Sequence, residues 1–263
     1  MTGRGILSRA SLPLAPWQGR AVMVFRRTAW FDGGSDQLIG LTAAGLCPSP
    51  RGLELDGPLP PLRPGMFLAF DGVAWALEGT GILEGVYRAP DTTVRLEPWL
   101  SPAVPPAGWC GRWDQWMRAA LPRDSEGRWL GSLREGPGED WERLIGRGSG
   151  STPSGDDYLA GWLAAQRRLD FLTPDMVLRL TRVLGQTGRL SRHYLSHLAE
   201  GRVDGTLGAV LAGPLEPDSP EVRALAAQGD LSGRATLLGL VAGFSAGGPT
   251  VNAPRDSRDR AGV

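Results

Sequence analysis

Apolar positions along this chain follow two different periods, and the change between them falls near residue 108. Before it, apolar residues come in short runs separated by turn formers, the pattern of strands. Val22-Met23-Val24-Phe25 opens a strand expected to run to Phe31, and Asp32 to Ser35 is a turn. Gln37 to Leu41 is a second strand. Met66 to Phe70 and Val73 to Leu77 flank Asp71-Gly72, a two-residue hairpin signal. Ile82 to Tyr87 and Thr92 to Leu96 add two more strands, and the proline-rich stretches 48–50 and 58–64 are loops. Short strands this closely spaced imply an antiparallel sheet or a small barrel.

Pro98 to Gly108 marks the boundary. Beyond it Trp109, Trp113 and Trp116 recur at helical spacing, as a packing stripe does. Helices are expected over Glu139–Ile145, Ser154–Leu169, Thr173–Leu184, Ser191–Glu200, Val203–Leu211, Glu221–Ala227 and Arg234–Phe244. From Gly247 onward glycine, proline and charge dominate, and a disordered tail is expected. The expected fold is therefore α+β: an N-terminal antiparallel β-sheet or small barrel over 1–108, a helical region over 109–246, and a tail over 247–263.

Composition narrows the function classes. The 28 basic and 28 acidic residues cancel, with no basic stripe, which argues against nucleic-acid binding. Every basic residue is arginine, so no Schiff-base or phosphate-loop lysine exists, and any fixed positive charge at a site is an arginine, a helix terminus or a metal. Cys47 and Cys110 are too few for a disulfide scaffold or a structural zinc site. Arg4, Arg9, Pro13 and Pro16 interrupt any signal-like apolar core, and no run is long enough to span a membrane, so a cytoplasmic protein is expected.

The densest chemistry lies between Gly146 and Asp157. Gly146, Gly148, Gly150 and Gly155 alternate with hydroxyl residues, then Pro153 and the pair Asp156-Asp157 lead into an apolar helical pattern. Glycines let backbone approach a ligand closely, and a helix start presents unpaired N–H groups with partial positive charge. Ser151 or Thr152 suits the N-cap, with Pro153 at or beside the first helical position. The turn reads either as a well-capped helix start or as an anion site. In the second case Gly148, Gly150, Ser151, Thr152, Ser154 and Gly155 would line it. Two carboxylates repel a bare phosphate, so either Asp156 and Asp157 hold Mg²⁺ between them and the anion, or one acts as acceptor or base while the other caps. The spacing is not that of a Walker loop, and no lysine follows.

The run Leu144-Ile145-Gly146 through Gly148, Gly150, Thr152-Pro153, Gly155-Asp156-Asp157-Tyr158-Leu159 to Gly161 resembles the signature of the AllH-like family. Weaker echoes are Thr187 to Arg202, Gly229-Asp230-Leu231-Ser232-Gly233 with Leu237 to Gly239, and Val24 to Ala29. Ser151 stands where the family usually has leucine, and Leu231 where it has a small hydroxyl residue. The resemblance implies a subunit of a multi-subunit oxamate carbamoyltransferase, which cleaves oxalurate with phosphate to oxamate and carbamoyl phosphate in allantoin catabolism. It thus implies partner subunits and a small anionic ligand. It transfers no catalytic residue.

Other candidates are weaker. His193 and His197 share a helix face at metal-site spacing, but Tyr194 stands where a zinc protease has glutamate, so a surface or partly buried pair is favoured. Arg26 and Arg27 are adjacent in an expected strand, so one would face inward, paired with a carboxylate or with an anionic ligand; Arg27 is kept as a ligand candidate. Ser232 and Gly233 open the last helix and offer a second anion-friendly terminus. Ser149, Ser154 and Cys110 sit in no nucleophile motif. Three functions follow: a subunit binding a phosphate or carbamoyl compound, a Mg²⁺-nucleotide enzyme, or a non-catalytic subunit in which the turn only packs and caps.

Overall fold

A computed structural model describes residues 16–34, 38–43, 52–55, 57–83, 86–88, 94–95, 109–213 and 215–246. The expected proline-rich boundary, Cys47 and the tail lie outside them. The fold is α+β, a β-rich N-terminal part followed by helices. The chain forms two units that are not contiguous in sequence: 1–96 with 187–215, and 97–186 with 216–263.

The first unit is built on a sheet of eight strands among the described residues: β1 (Trp17–Val24), β2 (Thr28–Asp32), β3 (Leu38–Thr42), β4 (Gly52–Leu55), β5 (Phe67–Phe70), β6 (Trp75–Leu77), β7 (Gly81–Ile82) and β8 (Val86–Arg88). Their spatial order is β7-β6-β5-β1-β2-β3-β4-β8. The sheet is mixed rather than antiparallel, because β3 and β4 run parallel, with Leu41 opposite Leu53. That pairing is non-local and leaves no turn signal in the sequence. The strand expected from Val22 to Phe31 is two strands: β1 ends at Val24, Phe25 to Arg27 turn, and β2 begins at Thr28. Phe25 N–H donates to the Thr28 carbonyl to close this turn, 2.8 Å. The β5–β6 hairpin forms as expected, but its loop holds four residues. Asp71 Oδ1 accepts from the N–H groups of Val73 and Ala74, at 2.7 and 2.8 Å, and draws both out of the strand. The strand expected over Ile82 to Tyr87 is divided between β7 and β8.

β2 and β3 are buried on both faces. Ala29, Phe31, Ile39 and Leu41 face the main apolar core with Leu53, Leu68, Phe70, Trp75 and Leu77. Trp30 and Leu38 point the other way, against Leu190. Leu190 belongs to α5 (Arg189–Ala199), and Trp30 also meets the rings of His193 and Tyr194 edge-on at 5.6 and 6.0 Å. Arg189 ion-pairs with Asp32. The unit is completed by the two-stranded pair β9 (Val94–Arg95) and β10 (Arg202–Val203), and by α6 (Gly205–Ala212).

The second unit contains α1 (Trp109–Ala120), α2 (Ser125–Ser132), a 3-10 turn (Trp141–Leu144), α3 (Ser154–Arg168), α4 (Pro174–Val183), α7 (Pro220–Ala226) and α8 (Ser232–Ala246). Its centre is the pair α3 and α8, which touch backbone to backbone. A Cβ on Gly161 would overlap the Thr236 carbonyl and reach Leu240 N at 2.8 Å, and one on Gly239 would overlap the Tyr158 carbonyl and reach Trp162 N at 3.0 Å. A Cβ on Gly243 would press on Ala165 Cβ at 2.5 Å and come within 3.0 Å of the Trp162 carbonyl. Tyr158, Leu159, Leu163, Leu237 and Leu240 are buried around this seam.

Substituting Gly161→Ala therefore forces the two helices apart. Its expected cost is about 3 kcal/mol or more, whereas Gly111→Ala, on the exposed face of α1 with nothing within 4 Å, is expected to stabilise by roughly 0.5–1 kcal/mol. Urea unfolding of both variants measures this. Equal, small effects would contradict the close seam.

Candidate functional site

The turn between the 3-10 segment and α3 is wound by positive φ angles at Gly146 (72°), Gly148 (115°) and Gly150 (92°), which only glycine adopts cheaply. Its donors are largely taken by the chain itself. Asp156, 2% exposed, accepts from Gly146 N–H at 2.7 Å. Gly155 N–H donates to the Arg147 carbonyl, 2.8 Å, and Arg147 N–H to the Leu144 carbonyl, 3.0 Å. Gly155 also lies against Leu144, where a Cβ would overlap the carbonyl and come within 2.9 Å of the Arg147 oxygen.

The carboxylate that this turn embraces is Glu126, from α2. Its Oε1 accepts from Ser149 N–H at 3.1 Å and from the Ser154 hydroxyl, and its Oε2 accepts from the Ser149 hydroxyl at 2.8 Å. These donors, the Ser154 hydroxyl first and then Ser149, hold the Glu126 carboxyl below its ordinary pKa. Gly148 is pressed against the same group; a Cβ there would meet Ser154 N at 2.6 Å and Glu126 Oε1 at 2.9 Å. Arg147 lies over the Trp129 ring of α2 at 4.3 Å. Neither α2 nor Glu126 was signalled by the sequence, because Gly127 and Gly131 break an already short apolar pattern. The usable signal was Asp124, which caps the helix by accepting from Gly127 N–H at 2.8 Å.

The N-cap of α3 is Pro153, without a side-chain cap, in place of the expected Ser151 or Thr152. Its carbonyl accepts from Asp156 and Asp157 N–H at 2.9 and 3.1 Å. Ser151 is exposed. Thr152 instead meets Ser232 at the start of α8, hydroxyl to hydroxyl, 2.9 Å. Asp157 joins them. Burial raises its carboxyl to about 7, opposed by hydrogen bonds from Ser232 and Thr152 and reinforced by the Asp156 charge. Its Oδ2 is enclosed and has no hydrogen-bond partner among the described residues. Gly233 N–H donates to the Gln228 carbonyl, 3.1 Å, and a Cβ there would overlap the Leu225 carbonyl of α7. The structure thus gathers Thr152, Asp157 and Ser232, and sets Asp156 to close the turn.

Arg27 belongs to the sheet unit, where it and Arg26 are both exposed in the β1–β2 turn; neither alternates within a strand as expected. His193 and His197, expected at the surface or partly buried, are instead buried, their rings 4.7 Å apart, with His197 Nδ1 3.6 Å from Glu200. Among the described residues no three His, Cys, Asp or Glu side chains form a metal-binding group, and no helix is long and apolar enough to cross a membrane.

Residues 144–244 match the family model described as oxamate carbamoyltransferase subunit AllH. The AllH match begins at the last residue of the 3-10 turn and ends within α8. It therefore contains the glycine turn, the α3–α8 seam and the Thr152–Asp157–Ser232 cluster. The echo at Val24 to Ala29 lies outside it. No curated protein and no solved structure matches the chain.

A carboxyl that stays protonated to about pH 7 in the folded state binds more protons there than in the unfolded chain. Ionisation therefore opposes folding, and its contribution falls as pH rises from about 4 to about 7. The stability of the wild type minus that of Asp157→Asn is expected to decline by up to about 4 kcal/mol across that window and to level off above it. Denaturant unfolding at a series of pH values checks this, and a flat difference would contradict it. Glu126→Ala is expected to speed amide exchange at Ser149 while α4 is unchanged.

Proposed function

We propose that this chain is a carbamoyltransferase subunit that holds a small carbamoyl-bearing ligand at Thr152, Asp157 and Ser232. The observation that carries this reading is the coincidence of the AllH match with a near-neutral, enclosed carboxyl whose Oδ2 has no partner among the described residues. A carbamoyl group carries N–H donors and a carbonyl acceptor side by side. Asp157 Oδ2 accepts from the N–H groups when ionised and donates to the carbonyl when protonated, while the Thr152 and Ser232 hydroxyls, whose protons serve Asp157 and each other, keep lone pairs for a further N–H. Partial protonation of Asp157 near pH 7 lowers its repulsion toward the anionic end of carbamoyl phosphate or oxamate, and lets the carboxyl give or take a proton at that group. Partner subunits would complete the enzyme, as the family description of a subunit implies. A Mg²⁺ ion between the Asp157 carboxylate and a phosphate would belong to the same proposal, with Asp156 turned to Gly146 N–H.

One observation favours a second, structural reading. Glu126 already occupies the Ser149 and Ser154 donors, and Asp156 occupies Gly146 N–H, so much of the turn is satisfied without a ligand.

Thermal unfolding with carbamoyl phosphate, oxamate, inorganic phosphate or ATP, each with and without Mg²⁺, separates the two. A ligand at about 100 times its Kd adds roughly 2.7 kcal/mol, a shift of a few degrees. The expected result is a shift with carbamoyl phosphate or oxamate that is lost in Asp157→Asn. A shift with Mg²⁺-ATP alone, or no shift with any compound, would contradict it.

A further inference from the structure

The second unit contains a cavity of about 380 Å³ that the proposed function does not use. It lies between α1, α2 and the second half of α8. Thr152, Asp157 and Ser232 do not line it, and Leu238, its α8 residue nearest to Ser232, is six residues on, roughly 9 Å along the helix, so this cavity is separate from the Asp157 cluster. Its floor is apolar, formed by Trp113, Met117, Leu121, Leu238 and Val241. Its rim carries Arg118, Arg123, Arg128 and Arg134 against one acid, Asp114. Arg118 faces Asp114 at 3.8 Å, and Arg128 donates to the Arg123 carbonyl at 2.7 Å. Arg123 and Arg134 are exposed and have no ion pair among the described residues.

The geometry points to a binding site for an amphipathic anion, an aliphatic or aromatic body ending in a carboxylate or phosphate. Each feature selects part of that description. The volume is that of a small-molecule site, and the side chains of Trp113, Met117, Leu121, Leu238 and Val241 favour an apolar body on the ligand. The guanidiniums stay charged at any accessible pH and match carboxylate or phosphate oxygens in pairs. With three more positive than negative charges at the rim, a neutral or cationic ligand leaves that field unanswered. Cys110 and Ser245 close one end, and the exposed Cys110 thiol reports on occupancy.

The test uses the full chain and the alkylation rate of Cys110, read by mass spectrometry of its own peptide. Octanoate and octyl phosphate are expected to slow alkylation, whereas octanol and inorganic phosphate at equal concentration are not. The double variant Arg123→Gln/Arg134→Gln, both exposed and so tolerated by the fold, is expected to need about tenfold more octyl phosphate for the same protection, the size of two partly exposed charge contacts. Protection by octanol equal to that by octanoate, unchanged protection in the double variant, or protection by none of the four would overturn the assignment. Octanoate against octyl phosphate shows which anionic group the rim prefers.

Discussion

The contact on which the second unit depends is the backbone approach of α3 to α8. Gly161, Gly239 and Gly243 remove the side chains that would separate the helices, and the carbonyls of Thr236, Tyr158 and Trp162 occupy the space. This seam fixes where α3 begins relative to α8. It brings Asp157, in the first turn of α3, against Ser232, the first residue of α8. Gly155 and Gly233 extend the same device, one letting the helix start rest on Leu144 and the other letting α8 rest on α7. These five glycines of the AllH match are therefore packing residues.

The two adjacent aspartates owe their different chemistry to this geometry. Asp156 faces the turn and accepts a backbone N–H, the service a carboxylate gives to a tight turn beside a helix start. Asp157 faces α8, where burial opposes its charge more strongly than two hydroxyls support it. Glu126 differs again, since donors from the turn surround it and favour its ionised form. Near one turn, Glu126 and Asp157 are thus shifted in opposite directions.

The sequence showed the local features well. The glycine turn, the helices α3, α4 and α8 and the β5–β6 hairpin were legible because glycine, proline and apolar period mark them directly. What it hid was non-local. The parallel pairing of Leu41 with Leu53, and the attachment of α5 to the sheet through Trp30, depend on partners far along the chain. Arg26 and Arg27 read as strand residues because apolar positions flank them on both sides, yet the chain reverses there. Thr152 looked like an N-cap, but its hydroxyl meets Ser232, 80 residues away. Of the candidate-site residues, Asp156 and Asp157 stand out in their motif, but which one meets the hydroxyls of Thr152 and Ser232 could not be read without the seam. Glu126 was missed altogether, since a glutamate in a glycine-broken eight-residue helix carries no signal of what it holds.

The most direct test is the titration of the Asp157 carboxyl by carbon-detected NMR, assigned by the loss of its signal in Asp157→Asn. The account predicts a midpoint near 7. A midpoint near 4, the ordinary aspartate value, would mean that the α3–α8 seam does not desolvate this group, and the proposed site would lose its central residue.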